Sequence, residues 1–199
     1  MRVTLALLCL LPLCGCRGPK QSVYRFEAGG PTPEQAEEAA GLRAAALERI
    51  DAGALEEALP LLSSASLLDP GDGAVFNNIG WVHQRSGRLY PAAVAYRRAA
   101  ELRPTDPVPV SNLGLVLGAA GRWGDAVAAQ QRAVGLAPGD PRFETRLTYA
   151  RFRRGDPVEQ LRDELERVAL SLRDGGWAPW AARQLARLDE AGHDDGSPR

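Results

Sequence analysis

Cysteine occurs three times in 199 residues, all within the first sixteen, and histidine only twice. Beyond Cys16 the chain therefore has no thiol for a disulfide or a zinc site. Aromatic residues make up 6% of the chain, and valine, isoleucine and threonine are sparse beside alanine and leucine. That balance argues against strands and for helices. No apolar run reaches the ~20 residues that a membrane-spanning helix requires. Formal net charge is only −1, with both signs mixed along the chain, so there is no basic field for nucleic acid.

The motifs of chemistry are missing as well. No HExxH, GxSxG, phosphate loop or paired-cysteine pattern occurs. His83 falls on the inner side of a helix and reads as packed, and His193 sits beside Asp194 and Asp195 near the C-terminus. Ser63, Ser64 and Ser66 have no histidine nearby in sequence. Glu56-Glu57 and Asp163-Glu164-Glu166 suit solvated helix faces. The expectation is a protein that is not an enzyme, with no catalytic residues, no cofactor and no metal.

What the chain does have is a period of thirty-four residues. FNNIGWVHQRSGRLYPAAVAYRRAAELRPTDP, from Phe76, matches VSNLGLVLGAAGRWGDAVAAQQRAVGLAPGDP, from Val110. Gly80 maps to Gly114, Gly87 to Gly121, Ala92 to Ala126, Ala99 to Ala133, Leu102 to Leu136 and Pro104 to Pro138. A fixed period of this length implies stacked helix pairs. Glycine inside a helix costs ~1 kcal/mol against alanine, and Gly80 and Gly114 are tolerated where a neighbouring helix comes close, with Ala92, Ala99, Ala126 and Ala133 supplying small side chains on the facing helix. Gly87 and Gly121 fall where a left-handed C-cap belongs. Pro104 and Pro138 stop the second helix.

These columns resemble the tetratricopeptide repeat. Phe76 and Tyr96 fill the family's aromatic positions, where the second copy has Val110 and Gln130, and His83 and Leu117 replace a tyrosine. The resemblance implies an all-α, tetratricopeptide-type superhelical solenoid of antiparallel helix pairs over 34–190. Its repeats would lie at 39–72, 73–106, 107–140 and, in degenerate form, 141–174, with a capping helix at 177–190. Gln160 and Arg167 replace the small residues of the fourth copy. Thr32 and Pro33 are helix-start signals. Residues 191–199 read as a disordered tail.

The N-terminus reads MRVTLALLCLLPLCGCRG. One arginine and a short apolar run fit a secretory signal over 1–15. Leu13-Cys14-Gly15-Cys16 resembles a bacterial lipoprotein cleavage site, which makes Cys16 the lipidated residue. Residues 16–33 then form a flexible tether. Arg17, rather than an aspartate, favours the periplasmic face of the outer membrane over the inner membrane.

In this repeat family the first helix of each pair lines a concave face. Leu47, Trp81, Leu115 and Tyr149 share one column, and Ile50, Gln84, Gly118 and Phe152 lie three residues on, so each pair shares a face. The expected partner groove is Leu47, Ile50, Trp81, Arg85, Leu115, Tyr149 and Phe152, rimmed further by Arg43, Arg142 and Arg153. An apolar stripe edged with arginine suits an amphipathic helix or an acidic extended peptide; burial of the stripe by the chain's own helices is the alternative. Asn78 and Asn112 recur in register and read as structural. The resemblance extends to small lipidated repeat proteins of pilus and secretion assembly, pilotin-like or of the tight-adherence type. It implies an envelope adaptor holding a segment of a secretin or pilus component. A scaffold for peptidoglycan enzymes and a self-associating structural protein are the other readings, and oligomeric state stays open.

Overall fold

A computed structural model of the chain describes residues 30–171 and 176–194. These form α1 (Pro33–Asp51), α2 (Leu55–Leu68), α3 (Gly73–Arg85), α4 (Leu89–Leu102), α5 (Pro107–Ala119) and α6 (Trp123–Leu136). There follow α7 (Pro141–Arg154), a 3₁₀ turn (Val158–Leu161), α8 (Arg162–Leu170) and α9 (Trp177–Asp194), with no strand among the described residues. The signal segment, Cys16 and most of the tether lie outside them.

The local signals explain the punctuation. Thr32 caps α1 in a reciprocal capping box with Gln35, and Pro33 opens the helix. Asp72, Asp106 and Asp140 cap α3, α5 and α7, each accepting a hydrogen bond from the backbone N–H two residues on. Gly53, Gly87, Gly121 and Gly155 follow the first helix of each pair with positive φ. At Gly155 φ is +98° and nothing would obstruct a Cβ, so the cost of a side chain there is purely conformational. Gly155→Ala is expected to lower stability by about 1–2 kcal/mol, read as a shift in the urea midpoint.

The core within the pairs is a seam of small residues. Ala39 and Ala46 of α1 meet Ala58, Leu62 and Ala65 of α2, all buried. Ala92 and Ala99, and then Ala126 and Ala133, continue the seam. Small side chains let helix axes approach to the close end of the usual 8–10 Å. The recurrent helical glycines Gly80 and Gly114 meet bulkier neighbours than the facing alanines expected from the sequence. A Cβ on Gly80 would stand 2.7 Å from the Tyr96 ring, and one on Gly114 would stand 2.6 Å from Gln130 Nε2. Each glycine is thus the socket for one large side chain of the second helix in its own pair.

The fourth pair departs from this plan where its sequence does. Gln160 and Arg167 are exposed, because long polar side chains cannot enter a seam built for alanine. The second helix is cut to nine residues behind the 3₁₀ turn, and Leu161, Leu165 and Val168 take the buried places. Helix α9 packs on them through Ala181, Trp177, Trp180 and Leu185. It runs on to Asp194, four residues into the segment expected to be a tail.

Candidate functional site

On α5, Gly114 and Gly118 are one helical turn apart and face the same way. A Cβ on Gly118 would lie 2.6 Å from the Trp123 ring. With only hydrogen there, the indole folds down against bare backbone at the start of α6. The second repeat has Gln84 and Leu89 at the equivalent positions, and Gln84 Oε1 accepts a hydrogen bond from the Tyr96 hydroxyl at 2.8 Å. In the third repeat the Trp123 ring, not a side chain of α5, lies over Gly118.

What results is a cleft of about 340 Å³ between α5, α6 and α7, walled by Leu115, Trp123, Tyr149 and Ala150, with Ala119 at its edge. Arg146 and Arg153 also line it, and no carboxylate does. Beneath it lies a satisfied polar network. Arg146 Nη1 donates to Ser111 Oγ at 2.8 Å, and that hydroxyl donates to Gln130 Oε1 at 2.8 Å. Gln130 Nε2 donates to the Ser111 carbonyl at 2.9 Å. Gln130, standing where an aromatic was expected, is buried without an orphaned group. The bond from Asn112 Nδ2 to Asn77 Oδ1, 3.1 Å, ties α5 to α3; the recurrent Asn78 is not its partner.

Arg153 is held by aromatic surfaces. Its guanidinium lies 4.4 Å from the centroid of Trp123 and 5.7 Å from that of Tyr149. Its Nη1 donates to the Tyr149 hydroxyl at 2.7 Å. The column repeats two helix pairs earlier, where Arg85 sits 5.6 Å over Trp81. Between these two stacked pairs the column holds only Leu115 and Ala119.

The expected groove residues therefore divide. Leu115 and Tyr149 wall the cleft. Trp81 is half-buried and joins the cores on both sides of it, with Arg85 above. Ile50 packs inward against α1 and α2, and Leu47 stands exposed at the N-terminal end. At the other end α9 covers the stripe from within the chain: Trp180 meets Phe152 edge-on at 5.4 Å, and Trp177 meets Tyr149 at 4.7 Å. Of the rim arginines, Arg43 pairs with Asp72 and Arg142 with Asp140. Sequence reasoning missed Trp123 and Arg146 as cleft residues. The pairing of a glycine one turn after Gly114 with a tryptophan opening the next helix was the available signal.

His83 is half-buried, as its position suggested, and lines a more apolar depression with Phe76, Ile79, Tyr90 and Val94. Burial, with a smaller contribution from the charge of Arg88, holds it below the ordinary histidine range. The side chain of His193 lies outside the described residues.

No protein-family model matches the sequence, and no curated protein matches it. Solved structures do. The Yersinia enterocolitica type III secretion chaperone SycD, in complex with a peptide of the translocator YopD, superposes with a TM-score of 0.55 at 20% identity, over 58% of this chain and 93% of that one. MamA gives 0.57 at 19% identity, over 76% and 81%. The first tetratricopeptide domain of Spaghetti (RPAP3), bound to the HSP90 peptide SRMEEVD, gives 0.56 at 17% identity, over 58% and 91%. At these identities the likeness establishes the fold, and the chain is an all-α solenoid of tetratricopeptide-type helix pairs.

Proposed function

We propose that this chain is a non-enzymatic adaptor, anchored through a lipidated Cys16 in the bacterial envelope, whose concave face holds a peptide segment of a partner protein. The observation that carries this reading is the cleft over α5, open between two stacked arginine–aromatic pairs. Peptide complexes of SycD and RPAP3, which share the fold, support it. The lipoprotein-like N-terminus supports the envelope, on the periplasmic face of the outer membrane. The link of SycD to secretion is in keeping with a partner in a pilus or secretion assembly, such as a secretin or pilus component.

Ala119→Glu tests it. Ala119 is exposed at the edge of the cleft, so a longer side chain obstructs the opening without entering the core. A glutamate in the last turn of α5 costs at most ~1 kcal/mol through the helix dipole. Full-length wild type and Ala119→Glu, purified in mild detergent, are immobilised and exposed to solubilised envelope. One protein retained by the wild type and lost with Ala119→Glu is the expected result. Identical protein profiles on the two baits would remove the cleft from the proposal. Trp81→Glu is the poorer probe, because Trp81 is shared by two cores and its loss would unsettle the fold.

A further inference from the structure

Five arginines lie on α7, and what each touches sorts them. Arg142 pairs with Asp140, Arg151 with Asp156 and Glu164, and Arg154 with Asp156. Arg146 is built into the Ser111–Gln130 network. Arg153 has no carboxylate partner among the described residues, and aromatic rings and one phenol oxygen fix its orientation. A guanidinium stacked on indole keeps its in-plane N–H donors available in a rigid fork, which matches a carboxylate. Arg85, four residues after Trp81, repeats the arrangement at the other end of the same column and likewise has no carboxylate partner among the described residues.

Between these two cations lies the cleft beside Gly114, Gly118 and Ala119, with Leu115, Trp123 and Tyr149 as walls and Gln130 also in its lining. The cleft is thus more apolar than polar, with Gln130 as its uncharged polar member and arginine as its only charged kind of residue. Its volume of about 340 Å³ is near the lower end of small-ligand pockets, room for one large side chain rather than a whole helix. We infer that the concave face selects an extended acidic peptide, with one large apolar side chain seated in the Gly114–Gly118 cleft and a neighbouring carboxylate on Arg153, while Arg85 takes a second carboxylate further along. This rests on the reading of the concave face as a peptide site and adds the chemistry of its occupant. Charge complementarity chooses this occupant over a neutral amphipathic helix: Arg153 and Arg85 are stacked on aromatic rings at the two ends, and the lining between them holds no acid.

The test is a selection of random dodecapeptides on phage against the full-length chain in mild detergent, with Arg153→Gln and Ala119→Glu in parallel. The expected outcome is enrichment of sequences placing Asp or Glu within a residue or two of a large apolar residue. A synthetic representative should bind wild type roughly ten- to hundredfold tighter than it binds Arg153→Gln, and tighter by a similar factor than its own Glu→Gln version. Arg85→Gln should weaken it less, and added salt should weaken it throughout. If enriched peptides lose binding to Ala119→Glu, yet show no excess of acid and bind Arg153→Gln as well as wild type, the acidic preference is overturned and the peptide site stands. If nothing is enriched on the wild type, the inference and the peptide site fall together.

Discussion

Tyr96→Ala is expected to cost about 3–5 kcal/mol, the range for truncating a large buried aromatic. Tyr96 is completely buried and is the largest such side chain among the described residues. Its ring lies over Gly80, and its hydroxyl donates to Gln84. Truncation removes the ring contacts, leaves a void between α3 and α4, and deprives Gln84 of a donor. Domains of this kind have only about 5–15 kcal/mol in hand, so the middle of the array should melt early. The socket also predicts a reversal of sign. Gly80→Ala alone places a Cβ 2.7 Å from the ring, so strain should outweigh the ~1 kcal/mol that alanine gains in a helix. In the Tyr96→Ala background the ring is gone, and Gly80→Ala should instead stabilise. Urea unfolding of the four proteins, followed by circular dichroism, measures the cycle. Equal effects of Gly80→Ala in both backgrounds would show that Gly80 is not the socket for Tyr96.

Behind a signal whose cleavage does not depend on the cysteine, Cys16→Ser should move the mature chain from the membrane fraction to the soluble fraction almost completely. Each buried CH₂ contributes about 0.8 kcal/mol, and one acyl chain gives only reversible binding, whereas two or more hold stably. The lipoprotein resemblance implies three. Among the described residues no helix is long and apolar enough to span a bilayer, so a strong effect of this one substitution is the natural expectation. Fractionation after salt and carbonate washes, with metabolic labelling by an alkyne fatty acid, provides the readout. Label remaining on the Cys16→Ser protein, or its retention by washed membranes, would place the anchor elsewhere.

The repeat makes most of the fold legible in the sequence. Glycine columns marked both the close approaches and the helix ends, and proline columns marked the end of each pair, because those residues act through their own backbone or lack of a side chain. Such effects are local and survive in a linear reading. The loss of small residues at Gln160 and Arg167 likewise foretold an irregular fourth pair. Even so, the pattern points to the alanines of the facing helix as the glycines' partners, whereas the bulkier Tyr96 and Gln130 occupy the sockets. Periodicity names a face of a helix; it does not say which side chain of the neighbour reaches across.

The site was less legible for the same reason. Leu47, Trp81, Leu115 and Tyr149 share one column, and nothing in their spacing separates an open position from a filled one. Sequence by itself determined that this is an array of helix pairs with a first-helix face carrying aromatics and arginines. Tertiary structure decided where that face is open. Helix α9 lays Trp177 and Trp180 over Tyr149 and Phe152, about thirty residues along the chain. Gly118 admits the Trp123 ring, which in turn holds Arg153 from the next pair. Exposure is a property of what lies across a gap in space, and these contacts join helices whose separation in sequence no period records.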